Sequence, residues 1–288
     1  MIKNFFNISD LSREQIFEII NLDINEKSLE NYTIGLLFEK YSTRTRLSFG
    51  VGIHQLGGNA IDIRFQDLNY SRDESFEDTF LAFNCYLDGL IFRTEDHNKL
   101  INCEKYFKKP VINGLSNISH PCQILSDLYT LKNHFHDLKI NILWIGDLNN
   151  VCFSLLEASN IIKELNLTIC SAKQLIETNE WISKFDVNVI HKINEIDLSN
   201  LHCVMTDVYI SMNDKNEISK EKLLKPYSVT NELMNKTSKD CIFMHCLPAK
   251  VGSEVDKEVI KGKKSIVWKQ AFNRLVAQKK LLQYINWE

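Results

Sequence analysis

Short apolar runs alternate along the chain with longer stretches whose apolar residues recur every three or four positions, the pattern of strands alternating with amphipathic helices. Near the start, Ser12 is followed by Gln15 three residues on and by Ile16, Ile19 and Ile20 on one helical face, a capped helix start. Ile34-Gly35-Leu36-Leu37-Phe38 then reads as a strand, and a helix is expected from about Thr43 to Gln55, stopped by Gly57-Gly58. Ala60 to Ile63 is a second strand. Ser75 to Leu87 reads as a helix with Ser75 as its cap and Asp78 three residues on. Gly89-Leu90-Ile91-Phe92 and Pro110-Val111-Ile112 follow as strands. His120 to His134 reads as a helix with Pro121 at its first position, where a missing N–H costs nothing.

After the polar segment Lys132 to Lys139 the alternation restarts with Ile142-Leu143-Trp144-Ile145-Gly146. Later strands are expected at Leu167-Thr168-Ile169-Cys170, Cys203-Val204-Met205-Thr206 and Cys241-Ile242-Phe243-Met244. The chain divides near residue 135, giving halves 1–135 and 136–288; the final helix, Asn273 to Tyr284, is compatible with either half, including a return onto the first. The fold class expected is α/β, two doubly wound domains with parallel central sheets joined by helices. The sequence contains no internal repeat and no low-complexity segment.

Composition narrows the functional classes. Of 288 residues, 44% are hydrophobic and 25% charged, with only 10 Gly and 4 Pro, which excludes a collagen-like or disordered chain. Thirty-four basic residues against 37 acidic ones, a formal charge of −3, argue against a general nucleic-acid binder but leave room for a local basic pocket. No run approaches the roughly 20 apolar residues of a membrane span, and the opening Met1 to Asn7 turns polar too soon for a signal peptide. Eight cysteines stand at 85, 103, 122, 152, 170, 203, 241 and 246 with no CxxC pair, most inside apolar runs such as Phe83 to Leu87. They are expected to be reduced, buried thiols rather than disulfides or a zinc site, and the setting cytoplasmic.

Five short constellations carry chemistry. Ser42-Thr43-Arg44-Thr45-Arg46 follows a strand and opens a helix, placing three hydroxyls and two guanidiniums around unpartnered backbone N–H groups, a place for phosphate or another compact dianion. The plainer alternative is ordinary capping with solvated arginines. In His120-Pro121-Cys122-Gln123, an imidazole at the cap and an amide one turn inside can both donate to a carbonyl oxygen, though a capping box would also use them. His245-Cys246-Leu247-Pro248 and Asp207-Val208-Tyr209-Ile210-Ser211-Met212 each sit at the carboxyl end of a strand, where open α/β sheets bind ligands. A lone Cys there is otherwise a small buried hydrophobe, and an Asp an ordinary turn residue. Gly146-Asp147-Leu148-Asn149-Asn150 is a strand-to-helix turn with too few glycines for a dinucleotide fingerprint, so NAD is not expected.

Together and in this order, the motifs resemble the aspartate/ornithine carbamoyltransferase family and, within it, the ornithine carbamoyltransferases. Phe38 to Arg46 looks like that family's carbamoyl-phosphate loop, His120-Pro121-Cys122-Gln123 like its HPxQ element, Asp207 through Ser211-Met212 like its DxxxSM loop, and His245 to Ala249 like its HCLPA segment. The last two separate the ornithine enzymes from the aspartate ones. The resemblance runs nearly the whole length, with Asn273-Arg274 matching a further family arginine.

The resemblance implies a first half that binds carbamoyl phosphate and a second that binds L-ornithine. Ser42, Thr43, Arg44 and Thr45 would hold the phosphate, Arg93 would reach phosphate and carbonyl oxygens, and His120, Gln123 and Arg274 would polarise the carbonyl. Asn150, Asp207, Ser211 and Met212 match ornithine contacts, and Cys246 with the backbone of Leu247 sits where the reacting amine and the carbamoyl group are met. It further implies a homotrimer, or a multiple of trimers, in which the loop Gln66 to Ser75 reaches a neighbour's site, with Asn69 as the candidate contact. No cofactor and no metal are required. The same chemistry on putrescine or an acylated ornithine is the closest rival, and a non-enzymatic paralogue would have lost part of the amine side, which this chain keeps. Four positions depart from the family pattern: Asn213 and Ser71 where Gly is usual, Val251 where Arg is usual, and Phe272 where an acid is usual.

Overall fold

The computed structural model describes residues 1–69, 74–210 and 217–287. Among the described residues nine strands form two sheets: β1 (Thr33–Phe38), β2 (Asn59–Arg64), β3 (Gly89–Arg93) and β4 (Val111–Leu115) in one, β5 (Ile140–Ile145), β6 (Leu165–Cys170), β7 (Asn188–Ile190), β8 (Cys203–Thr206) and β9 (Ile242–His245) in the other. The orders are β2-β1-β3-β4 and β7-β6-β5-β8-β9, and every pairing is parallel. Eleven α-helices connect them among the described residues: α1 (Arg13–Asn21), α2 (Arg44–Gln55), α3 (Phe76–Phe83), α4 (His97–Asn102), α5 (Pro121–Phe135), α6 (Asn150–Ile161), α7 (Lys173–Glu177), α8 (Glu217–Leu224), α9 (Asn231–Lys236), α10 (Lys257–Ile260) and α11 (Val267–Tyr284). The α/β class with parallel sheets is therefore observed.

By packing, the chain forms two compact units, residues 1–129 with 273–288, and residues 130–272. The division near residue 135 read from the polar run 132–139 differs from this by six residues. The polar run marks where α5 ends, whereas packing changes inside the helix, between Tyr129 and Thr130. The last residues, Asn273 onward, belong with the first unit. Helix α11 begins at Val267 rather than Asn273, because Trp268 and Phe272 in its first turns are exposed and break the amphipathic pattern.

Each unit has its own core. Leu37, Phe80, Leu90, Phe92, Phe107 and Val111 pack together in the first, and Leu143, Ile145, Val204, Phe243 and Val255 in the second. Both sheets have a protected edge. In the first unit, the Phe5 amide donates to Val111 O (3.0 Å) and Asn113 N donates to Phe5 O (2.8 Å), so the opening segment lies along β4. In the second, Phe243 N donates to Lys264 O (2.8 Å) and Ile266 N to Phe243 O (3.1 Å), covering β9 in the same manner.

Local sequence accounts for several boundaries. Ser12 and Gln15 form the capping box of α1, and Ser75 accepts from Asp78 N (3.0 Å) at α3. Helix α3 stops at Phe83, short of the expected Leu87, where the Asn84 amide turns back to Phe80 O (3.1 Å) and Tyr106 O (2.7 Å). That turn corrects one expectation: Cys85, in the apolar run Phe83 to Leu87, is exposed. Cys103, Cys122, Cys152, Cys170, Cys203 and Cys241 are buried and Cys246 is half-buried, all as free thiols. Among the described residues no helix is long and apolar enough to cross a membrane.

Gly89 opens β3 beneath the C-terminal Trp287; a Cβ there would lie 2.2 Å from Trp287 Cζ3. Gly89→Ala is expected to destabilise the protein by about 1–3 kcal/mol through overpacking. In urea denaturation its midpoint should fall with unchanged slope, and the drop should shrink in a Trp287→Leu background. Equal drops in both backgrounds would show that the ring is not the obstacle.

Candidate active site

In a parallel sheet, ligands gather at the carboxyl ends of strands where the strand order reverses. In the first unit that point lies between β1 and β3, and the register pairs Phe38 with Arg93 at the two strand ends. The loop after Phe38 carries Ser42 and leads into α2, so Arg93 Nη1 donates to Ser42 Oγ at 3.1 Å. Thr45, in the first turn of α2, is buried and accepts from Arg274 Nη2 at 3.0 Å. Thr43 stands at the helix cap with no side-chain capping bond; it is exposed, and Arg44 beside it is half-buried. Arg93 and Arg274 are 8% and 4% exposed, so both guanidiniums are held by the fold rather than by solvent.

His120 precedes α5, with Pro121 at its first position as expected, and is buried. Burial, then the charges of Arg274 and Arg93, hold its imidazole well below the usual histidine range, so it is neutral at pH 7. Gln123, one turn further, donates from Nε2 to Asp127 Oδ1 at 2.9 Å. Its Oε1 is buried without a partner among the described residues. That bond changes what Gln123 offers: an N–H is committed to Asp127, and the open atom is an acceptor. Cys122, between them, donates to Asn113 O (3.3 Å), and burial pushes its thiol up to about 12, so it is inert.

In the second unit the order reverses between β5 and β8. The loop after β5 brings Asn149, whose Oδ1 caps α6 by accepting from Val151 N (3.0 Å) and Cys152 N (3.1 Å) while Nδ2 donates to Asp207 Oδ2 at 2.7 Å. Strands β8 and β9 are paired Thr206 to His245. The next residue of each, Asp207 and Cys246, therefore stand side by side, and Cys246 Sγ donates to Asp207 Oδ1 at 3.1 Å. Asp207 is buried and Cys246 half-buried. Leu247 takes φ +58°, and its N–H donates to His245 Nδ1 at 2.9 Å.

Among the remaining candidates, Asn150 is the first residue of α6 and half-buried, beside rather than at the Asp207 contact that Asn149 makes. Asn69 is exposed, its carbonyl accepting from Glu74 N at 3.4 Å. Ser211 and Met212 lie outside the described residues, as do the departures Ser71 and Asn213; Val251 and Phe272 are exposed. Sequence reasoning missed Asn149, Asp127, His245 as more than part of a motif, and Glu254. Asp127 had a signal, standing four residues after Gln123 on one helix face. Asn149 had one as well, an Asn where a helix begins. Asp207, His245 and Cys246 bring ligand-type atoms within 4.8 Å of one another. His245 already accepts Leu247 N–H at Nδ1, with Glu254 Oε1 3.3 Å from its Nε2, and Cys246 Sγ donates to Asp207.

The first unit thus gathers arginines, hydroxyls and a neutral imidazole, and the second a carboxylate bracketed by an amide and a thiol. The family model for the aspartate/ornithine carbamoyltransferase carbamoyl-P binding domain matches residues 3–133, and that for the Asp/Orn binding domain matches residues 138–285. The chain belongs to the aspartate/ornithine carbamoyltransferase family. It is a carbamoyltransferase of that family. An ornithine carbamoyltransferase of Methanosphaera stadtmanae is 39% identical, covering 98% of this chain and 99% of that protein. The solved ornithine carbamoyltransferase structures from Pyrococcus furiosus and Thermus thermophilus superpose with TM-scores of 0.86 and 0.87 at 32% and 28% identity. They cover 98% and 99% of this chain and 96% and 99% of theirs.

The depressed His120 sets a pH dependence. Unfolded, its pKa is about 6.5, so below that pH the unfolded chain binds a proton that the folded one refuses. Stability is full above about pH 6.5 and is lost as pH falls toward the lowered folded value. Urea midpoints measured between pH 7 and pH 5 should decline more steeply in wild type than in His120→Gln. Parallel declines would show that His120 is not held neutral.

Proposed function

We propose that the protein transfers the carbamoyl group of carbamoyl phosphate to the δ-amine of L-ornithine, giving L-citrulline and phosphate. The single observation that carries this reading is the contact of Cys246 Sγ with Asp207 Oδ1 at paired strand ends, a place suited to an amine in a family member that also keeps the Ser42 to Arg46 loop.

Ser42, Thr43, Arg44, Thr45 and Arg93 hold the phosphate, their N–H and O–H groups donating to its oxygens. His120 and Arg274 donate to the carbamoyl carbonyl. A neutral imidazole suits this, because it supplies a donor without adding a full charge next to two guanidiniums. Gln123, with Nε2 tied to Asp127, presents Oε1 to an N–H of the carbamoyl amine. On the acceptor side, Asp207 and Cys246 orient the δ-amine, Asp207 accepting its N–H, while Asn150, Ser211 and Met212 contact the rest of ornithine. The nitrogen lone pair attacks the carbamoyl carbon and the carbonyl electrons move to oxygen. The tetrahedral intermediate then collapses, breaking the bond between the carbamoyl carbon and the phosphate oxygen, and the departing phosphate takes up the amine proton. Leu247 completes the carbamoyl contacts through its backbone. Donors aimed at such an oxyanion are each worth about 100- to 1000-fold in rate.

The wider setting follows the family resemblance. The active form is a homotrimer or a multiple of trimers, the segment from Gln66 through Asn69 to Ser75 reaching a neighbouring subunit. The location is cytoplasmic, in keeping with eight free cysteines, and the citrulline formed belongs to arginine biosynthesis or catabolism.

Purified protein given carbamoyl phosphate should form citrulline with L-ornithine at a higher kcat/KM than any product with putrescine or L-aspartate. Preference for putrescine would overturn the acceptor assignment. Cys246→Ala should lower kcat while carbamoyl-phosphate affinity stays within about twofold. Loss of that affinity would overturn the division of roles between the two residue sets.

A further inference from the structure

One buried acid in the second unit plays no part in the chemistry above. Glu254 is wholly buried, as is the side chain of His245 that it faces, Oε1 to Nε2 at 3.3 Å. The same Oε1 accepts the backbone N–H of Lys250, and Glu254 O accepts Val229 N at 2.9 Å. On the other side of the imidazole, Nδ1 accepts the Leu247 N–H at 2.9 Å. The His245 N–H is itself held by Gln270 Oε1 at 2.9 Å.

These bonds fix a tautomer. A nitrogen that accepts an amide N–H must carry a lone pair, so the ring proton sits on Nε2, the nitrogen that faces Glu254. Were the proton on Nδ1, it would point at the Leu247 N–H and the turn would have to open. That turn is demanding, because Leu247 holds φ +58°, a region that residues with a Cβ rarely enter. Cys246 lies between His245 and Leu247, so its aim at Asp207 depends on both neighbours. The charge of Glu254 is also felt in the loop after Asp207. Burial, and next the charge of Glu254, push the Tyr209 hydroxyl up, and Tyr209 belongs to the segment that follows Asp207. Tyr209 in turn packs on Gly146, whose φ of +122° would strain any other residue and whose Cβ would lie 3.1 Å from the Tyr209 ring.

We propose that Glu254 and His245 are positioning residues. The Glu254 carboxylate, 3.3 Å from Nε2, favours the ring proton on that nitrogen, leaves Nδ1 to hold the Leu247 amide, and so fixes the turn that keeps the Cys246 thiol on Asp207. Neither residue touches substrate; both act through Cys246 and the Leu247 backbone. The inference rests on the carbamoyl-transfer reading, since the turn is assayed through that reaction.

Steady-state kinetics on Glu254→Ala and Glu254→Gln test it at a temperature where each is folded by circular dichroism. Displacing reacting groups by about 1 Å costs on the order of 100-fold. Glu254→Ala is therefore expected to lose about 10- to 100-fold in kcat, with carbamoyl-phosphate affinity within about twofold. Glu254→Gln, whose amide oxygen can still face Nε2, should regain most of that loss. A purely structural role would lower Tm in Glu254→Ala and leave kcat per folded chain unchanged. That result, or a Gln variant as poor as the Ala variant, overturns the proposal. In case Glu254→Ala does not fold, nitrogen NMR of 15N-histidine-labelled wild type gives a second readout: His245 should be the Nε2–H tautomer, and an Nδ1–H form overturns the proposal. Absence of citrulline from wild type would instead sink the functional reading, while the tautomer measurement would still decide the turn.

Discussion

In a sheet whose strands all run one way, each strand delivers its following loop to the same edge, and where the order reverses two of those loops diverge and leave a crevice. This chain uses that constraint twice. Between β1 and β3 the crevice receives Ser42 and Arg93; between β5 and β8 it receives Asn149 and Asp207. Register then does what no local sequence preference can. Because Thr206 is paired with His245, the first residue beyond each strand meets the other, and a carboxylate 39 positions away in sequence comes within 3.1 Å of a thiol. A slip of one residue would turn alternate side chains to the opposite face and separate them.

What was legible in the sequence follows the same division between local and long-range causes. The strands and the loops after them could be read because parallel, buried strands are short apolar runs and the loops carry the polar residues. The start of α5 at Pro121 and the cap of α1 at Ser12 were legible because capping is decided within four residues. The start of α11 was not, since Trp268 and Phe272 are apolar residues on an exposed face and hide the helical period. Cys85 misled for a related reason: its apolar neighbours suggested burial, but Asn84 ends the helix and turns the thiol outward. At the site, the motif residues could be named but not their partners. That Asn149 rather than Asn150 holds Asp207, or that Gln123 is turned by Asp127, depends on which atom faces which, and this is fixed only when the fold closes.

The two residue sets also differ in electrostatic design. Around the anion loop, Arg93 and Arg274 are buried, and their charge helps to keep His120 neutral. A protonated imidazole would add a third positive charge to a crowded place, whereas the neutral ring adds a donor at no such cost. Around Asp207 the arrangement is reversed, with donors placed on a carboxylate: Asn149 Nδ2 on one oxygen and Cys246 Sγ on the other.

This last contact bears on what Cys246 does. A nucleophilic cysteine needs a nearby base or positive charge to give it thiolate character. Here the thiol's partner is a carboxylate, and the thiol donates to it. An incoming amine can replace that bond with one of its own, giving an N–H to Asp207 and directing its lone pair elsewhere. In the proposed reaction the cysteine is then a placeholder and a wall for the amine rather than an attacking group, in keeping with a transfer that passes directly from phosphate to amine. Such a role makes the thiol's exact position matter more than its reactivity. It also accords with the buried imidazole and carboxylate behind it, where His245 Nδ1 holds the amide of the turn that carries the thiol.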